Sequence, residues 1–194
     1  MNRIYIFDVD GTLYSQKKMH CMMLGRLAGY YMMHPFHVKD LYFIYKFRKY
    51  REKNEYKDYS IKQLAQVVHK DSYEVIQKWL FEVPLQVIQK CAYNELIFFI
   101  TNLPDGEKVV IYSDYPATEK LKALGISADM VVTAEDESVS ELKPSKKAME
   151  YILASMGGAP SDYIYVGDRD CKDGESARSV GVKYVDVKDF IKSL

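Results

Sequence analysis

The sequence predicts an α/β fold, a doubly wound parallel sheet interrupted once by a long all-helical insertion. Three observations predict it. Five short apolar runs rich in β-branched and aromatic residues recur along the chain, as strands buried on both faces do. Helical patterns closed by glycine separate the last four runs, and this strand-helix-strand alternation requires crossovers and parallel pairing. Between the first two runs lies a long excursion that carries only helical periodicity.

Taken in order, Arg3 to Phe7 is the first strand and ends at Asp8. In the insertion, Leu24, Leu27, Ala28 and Tyr31 mark the apolar face of one helix, which Pro35 ends. Leu41, Ile44, Tyr45 and Arg48 mark a second, and Ile61, Leu64, Ala65 and Val68 a third. Asp71-Ser72-Tyr73-Glu74 reads as a capping box opening a fourth, with Val75, Ile76, Trp79 and Leu80 behind it, and Pro84 suits the first turn of another. A helix near Ala92 to Thr101 returns the chain to the sheet through the turn Leu103-Pro104-Asp105-Gly106. Val109 to Tyr112 then ends at Ser113; Met130 to Val132, Tyr163 to Val166 and Lys183 to Val187 are the remaining strands. The helices between them span Ala117 to Leu124, Ser145 to Met156 and Glu175 to Val180, closed by Gly125, Gly157-Gly158 and Gly181. The expected division is residues 1–14 and 91–194 as the sheet domain and residues 15–90 as the helical insertion.

Composition narrows the class. The 194 residues are 48% hydrophobic, enough for a real core, and Lys+Arg and Asp+Glu both total 27, so net charge gives no argument for nucleic acid or an anionic membrane as partner. The balance conceals a split: residues 15–102 hold 14 basic and 8 acidic side chains, the rest 13 and 19. Tyr42, Phe43, Tyr45, Phe47, Tyr50, Tyr56 and Tyr59 interleave with Lys46, Arg48, Lys49, Arg51, Lys53 and Lys57; at helical spacing this is packing with basic side chains at the rim rather than a stacking platform for single strands. Cys21, Cys91 and Cys171 are far apart and odd in number, so buried thiols are expected, and His20, His34, His37 and His69 show no metal-ligand spacing. With no charged-then-apolar leader, and with Arg26 and Pro35 breaking the Met-rich stretch Met19 to Met33, a cytoplasmic protein without a membrane span is expected, that stretch forming a buried helix.

Four segments carry chemistry: Asp8-Val9-Asp10-Gly11-Thr12, Ser113, Lys143-Pro144, and Gly167-Asp168 with Asp173 close behind. Each lies at a strand end or helix entrance, where an open parallel sheet assembles its site. In this order the four resemble the haloacid dehalogenase-like hydrolase superfamily over roughly residues 1–14 and 92–190. The resemblance implies a Rossmann-like core, a helical cap formed by the insertion, and Mg2+-dependent hydrolysis of a small phosphomonoester. Asp8 matches the nucleophile that forms an aspartyl-phosphate, and Asp10 matches the residue that protonates the leaving oxygen and then activates water. Haloacid dehalogenases proper usually lack that second acid, so Asp10 implies phosphoryl transfer. Ser113 matches the phosphate-binding hydroxyl, joined by the backbone amides that follow it at Asp114, while Lys143 matches the positive charge on the same phosphate. Asp8, the Asp10 carbonyl and Asp168 match the magnesium ligands, with Thr12 and either Asp173 or Asp170 in support. The same motifs would serve a phosphosugar mutase, or a noncatalytic protein that binds a phosphate ligand or a partner; substrate and oligomeric state stay open.

Overall fold

The computed structural model describes residues 3–53 and 61–194. Strands β1 (Ile4–Phe7), β2 (Lys108–Ser113), β3 (Met130–Thr133), β4 (Tyr163–Gly167) and β5 (Lys183–Asp186) form one sheet, all parallel, in the order β3-β2-β1-β4-β5. β1 lies at the centre, with Phe7 opposite both Ile111 and Val166. The chain leaves β1 toward one side and later returns to the other, which opens the crevice of a topological switch point at the carboxyl end of β1.

Alternation along the strands divides the core between two faces. Ile4 and Ile6 point to the face packed by α9 (Lys147–Met156) through Ala148, Met149 and Ile152 and by α10 (Glu175–Arg178) through Ala177. Tyr5 and Phe7 point to the opposite face, where α7 (Asn94–Thr101), α8 (Thr118–Leu124) and α11 (Val187–Lys192) place Leu96, Leu121 and Phe190. Tyr5, Phe99 and Phe190 meet edge to face there, with centroids 5.2 to 6.1 Å apart. Helices on both faces make the sheet doubly wound, as expected.

The insertion runs through α1 (Gln16–Met33), α2 (Lys39–Lys53), α3 (Ile61–Val68), α4 (Ser72–Ile76), a π-helical turn over Gln77–Glu82, α5 (Val83–Leu85) and α6 (Ile88–Cys91). It enters and leaves through adjacent backbone. Ser15 N–H donates to Cys91 O at 2.9 Å and Tyr93 N–H to Leu13 O at 3.1 Å. Its buried residues, Phe47, Ala65, Ile76 and Trp79 among them, continue the core of the Tyr5 face.

Several sequence expectations need correction. The buried stripe of α1 runs through Met19, Met23 and Tyr31, while Leu24 is 67% exposed, so the helix is half-buried rather than buried. On α2 the inward residues are Asp40, Ile44 and Phe47, with Leu41 and Tyr45 outside; Tyr56, Lys57 and Tyr59 lie outside the described residues, as do the side chains of Arg51, Lys53 and Ile61. The capping box at Asp71 does not form: its side chain caps nothing, and the buried Ser72 hydroxyl donates instead to Ala65 O and His69 O, closing α3 against α4. Only Cys91 is a buried thiol; Cys21 and Cys171 are exposed. Val187 ends no strand but opens α11, capped by the Asp186 carboxylate accepting from Lys188 N–H at 2.8 Å. Among the described residues, no helix is long and apolar enough to cross a membrane.

Candidate active site

Three neighbouring strands end on the chemistry-bearing residues. Asp8 follows β1 and its N–H donates to Val166 O at 3.0 Å, Ser113 is the last residue of β2, and Asp168 follows β4. The turn after Asp8 depends on Gly11, whose φ is 108° and whose missing side chain makes room for Asp168. A Cβ there would stand 2.2 Å from Asp168 Oδ2. Thr12, fully buried, donates its hydroxyl to Asp8 Oδ2 at 3.1 Å and fixes the carboxylate's rotation.

Beneath Asp8 lies a buried charge network centred on Lys143. Its three ammonium protons meet three acceptors: Asp8 Oδ1 at 2.6 Å, Asp173 Oδ1 at 2.8 Å and Tyr112 O at 3.0 Å. Lys143 and Asp173 are both 0% exposed, so neither ion has water to fall back on. The lysine is aimed by its own backbone, whose N–H donates to Asp114 Oδ1 at 2.9 Å. Asp173 is satisfied on both oxygens, by Lys143 and the Tyr165 hydroxyl on one and by Arg169 N–H on the other. Burial pushes the Asp8 carboxyl up from its ordinary range; Lys143 opposes this and Asp173 adds to it. Asp173 is held low: burial would raise it, but the Lys143 charge and the hydrogen bonds it receives prevail. Asp170, the other supporting candidate, is exposed and paired with Arg178 at 2.8 Å, away from this network.

Asp10 faces a different set of partners. Its Oδ1 accepts from the Tyr14 hydroxyl and from Lys120 Nζ at 2.5 Å, and its carbonyl from Gln16 Nε2 at 2.8 Å. Sequence reasoning missed Lys120. The available signal was its place on the inner face of α8, beside Ala117, Leu121 and Leu124, where a lysine needs a carboxylate to justify burial. Ser113 Oγ accepts from Tyr115 N–H at 3.1 Å, which orders the turn carrying Asp114.

A magnesium ion fits these residues. Carboxylate oxygens of Asp8, Asp168 and Asp173 lie within 4.8 Å of one another, a hard-oxygen cluster. Asp168 Oδ1 is enclosed with no hydrogen-bond donor; Arg169 Nε, at 3.6 Å, is an ionic neighbour only. Burial raises the Asp168 carboxyl to about 6, against the pull of Arg169, which is the behaviour of a carboxylate short of cations. Asp173 carries the most of these bonds, from Lys143, Tyr165 and Arg169, whereas each Asp8 oxygen accepts one, from Lys143 or Thr12, and Asp168 Oδ1 accepts none, which leaves Asp168 and Asp8 the more room for a cation.

Above the strand ends, a cavity of about 320 Å³ extends from Asp8 and Asp10 into the helical insertion. Met19, Met23, Leu27, Ile44, Trp79 and Phe81 line its upper part, and Phe81 meets Tyr115 edge to face at 5.7 Å across the junction with the sheet domain.

The model of the haloacid dehalogenase-like hydrolases matches residues 3–181, and the chain belongs to that family. Solved structures agree on the fold at low identity. A 2-haloacid dehalogenase from Pseudomonas syringae is similar with a TM-score of 0.65 at 18% identity, covering 95% of this chain and 85% of that one. The HAD-hydrolase YfnB from Bacillus subtilis, bound to magnesium, gives 0.65 at 15%, covering 94% and 87%. A HAD phosphatase from Thermococcus onnurineus gives 0.56 at 21%, covering 95% and 85%. No curated protein matches by sequence.

Proposed function

We propose that this hydrolase is a magnesium-dependent phosphatase that cleaves a small phosphomonoester through an aspartyl-phosphate on Asp8, with residues 1–14 and 91–194 as the catalytic core and residues 15–90 as its cap. The observation that carries the reading is the second carboxylate, Asp10, at the cavity floor two residues beyond Asp8 and held by Tyr14 and Lys120. A dehalogenase has no use for a proton donor to a halide. A phosphatase needs one for its alkoxide.

In the first step an Asp8 oxygen forms a bond to phosphorus while the ester P–O bond breaks, and the Asp10 carboxyl gives its proton to the departing oxygen. In the second, Asp10 takes a proton from water as that water attacks phosphorus, and the Asp8 carboxylate is released. The Ser113 hydroxyl and the Asp114 N–H donate to the non-bridging oxygens. Asp8, Asp168 and the Asp10 carbonyl would hold magnesium, which would supply positive charge against the phosphate there. Lys143, the expected phosphate-binding cation, has its three protons engaged by Asp8, Asp173 and the Tyr112 carbonyl, so it supplies its charge to the phosphate from below Asp8 rather than by direct contact and offsets the carboxylates' repulsion of an anionic ester, while Thr12 and Asp173 keep Asp8 and Lys143 in register. Exposed, unpaired Cys21 and Cys171 suit a cytoplasmic location.

The test is a panel of phosphomonoesters with magnesium, run beside halide release from 2-chloropropionate. Phosphate release that chelator abolishes supports the reading. Halide release without phosphatase activity overturns it.

A further inference from the structure

The wall that faces a leaving group is chemically one-sided. From the insertion it presents thioethers, branched aliphatics and aromatic rings: Met19, Met23, Leu27, Ile44, Trp79 and Phe81. The insertion's polar contributions are Gln16, His20 and Arg48, and the Gln16 amide is already engaged by the Asp10 carbonyl. A sugar or nucleoside brings several hydroxyls, each of which loses water on entering and needs a partner. A wall this poor in polar groups pairs few of them, so polyol esters are penalised for every hydroxyl left unpaired while methylenes gain by burial. Charge is concentrated at the other end of the cavity, in Asp8, Asp10, Lys120 and Arg169, beside the strand ends. The cavity thus has a phosphate end and a hydrocarbon end.

Resting on the phosphatase reading of the same site, we infer that the substrate is a phosphate monoester of an apolar alcohol, aliphatic or aromatic, and that Met23, Ile44 and Trp79 are the residues that select it. About 320 Å³ is near the lower limit for a small-molecule pocket of about 300 Å³, which sets the scale at one ring or a short chain within the cavity. Met19 and Met23 adapt to the shape of either.

The chain contains one tryptophan, and Trp79 lines the cavity, so occupancy is readable directly by fluorescence. With magnesium present, ethyl, butyl and hexyl phosphate are assayed for turnover, with glucose 6-phosphate and glycerol phosphate as polar references. The corresponding alkylphosphonates, which cannot be hydrolysed, are titrated against Trp79 emission. Both kcat/KM and affinity should rise with chain length by up to about fourfold per methylene, the equivalent of about 0.8 kcal/mol per buried CH2. Both polar references should fall below butyl phosphate. Met23→Gln, which keeps length but adds an unpaired amide, should flatten the series. Turnover with a flat series, or a preference for the polyol esters, overturns the inference and leaves the phosphatase reading standing. Phosphonate binding that strengthens with chain length, with no ester hydrolysed, upholds the apolar site and overturns the phosphatase reading instead. Trp79 emission indifferent to every phosphonate counts against the inference even if Met23→Gln fails to fold.

Discussion

The floor and the roof of the cavity are built on opposite principles. The floor is a lattice of charge: Lys143 against Asp8 and Asp173, Lys120 against Asp10, with Thr12 and Tyr165 filling the remaining lone pairs. The roof is mostly apolar, with Arg48 as its charged exception, and is held by burial, as at Phe47, Ile76 and Trp79. Directional bonds fix atoms to a fraction of an ångström, which bond-breaking chemistry requires. Apolar packing tolerates substitution of similar volume, which suits a surface whose task is selection. Damage to the floor should therefore register in rate and to the roof in preference.

The largest expected effect is at the nucleophile. Asp8→Asn should lower kcat by a factor of at least about 10⁴ while the fold persists, since an amide forms no acyl-phosphate. Asp10→Asn should cost about 10² to 10⁴ in kcat, most severely for esters with poor leaving groups. Steady-state assays with a nitrophenyl and an alkyl phosphate separate the two. An Asp8→Asn enzyme with appreciable turnover would move the chemistry elsewhere.

Next in size is the buried lysine. Lys143→Met leaves Asp8 and Asp173 facing each other without a cation, and breaking such a pair costs about 3–5 kcal/mol. Urea denaturation in chelator should show that loss. Magnesium should restore part of it, because a cation then stands again among the same carboxylates. A loss below about 1 kcal/mol would mean that Asp8 and Asp173 accommodate a shared proton at no great cost.

The pH dependence follows from the same floor. The folded carboxyl of Asp168 lies near 6 against an ordinary 3.8, with Asp8 raised as well, so the metal-free protein holds more protons than its unfolded chain between those values. The stability these two groups contribute is complete below about pH 4 and is lost as pH rises through 6 and above; Asp173, held low, contributes in the opposite sense and loses its share only in acid. Magnesium requires the ionised forms. Its stabilising effect should accordingly be small at pH 5 and grow toward pH 8, in melting temperatures measured with and without the ion. An effect that is constant with pH would exclude Asp8 and Asp168 as the ligands.

What the sequence made legible divides along the same line. Strand ends and helix closures were readable because buried runs and glycines such as Gly125, with φ of 71°, obey local rules. The four motifs were readable because a site at strand ends uses fixed residue types. Lys120 was not, since its partnership with Asp10 exists only once α8 is folded against the turn; Tyr14, four residues beyond Asp10, reaches it only through the particular path of that turn. Which face of α1 would be buried was equally hidden: Leu24 and Met23 are both apolar, and only the way the rest of the insertion, α5 and α6 included, packs on α1 decides between them. At Asp71 a valid capping signal was overridden by the helix junction, where the Ser72 hydroxyl found carbonyls of the preceding helix.

The smallest expected effects lie on the basic outer surface of α2, and they sharpen the contrast most finely. Lys46 sits over the ring of Tyr42 at 5.3 Å and Lys49 over that of Tyr45 at 5.8 Å, with both rings more than half exposed. Exposed pairs of this kind are worth about 0.5–1 kcal/mol, part of which solvation and side-chain entropy return on replacement. Lys46→Ala and Lys49→Ala should therefore each change stability by no more than about 0.5 kcal/mol. Arg48, one turn from Ile44 on the same helix, lines the cavity instead. Its replacement by alanine should raise KM and weaken the salt dependence of kcat/KM, because a cation at the cavity wall attracts an anionic ester while the two lysines only add to a screened surface field. Measuring KM at low and at physiological ionic strength for all three variants decides the matter. Equal shifts for Lys46, Lys49 and Arg48 would show that the insertion acts by its net charge and that the wall residue has no special place.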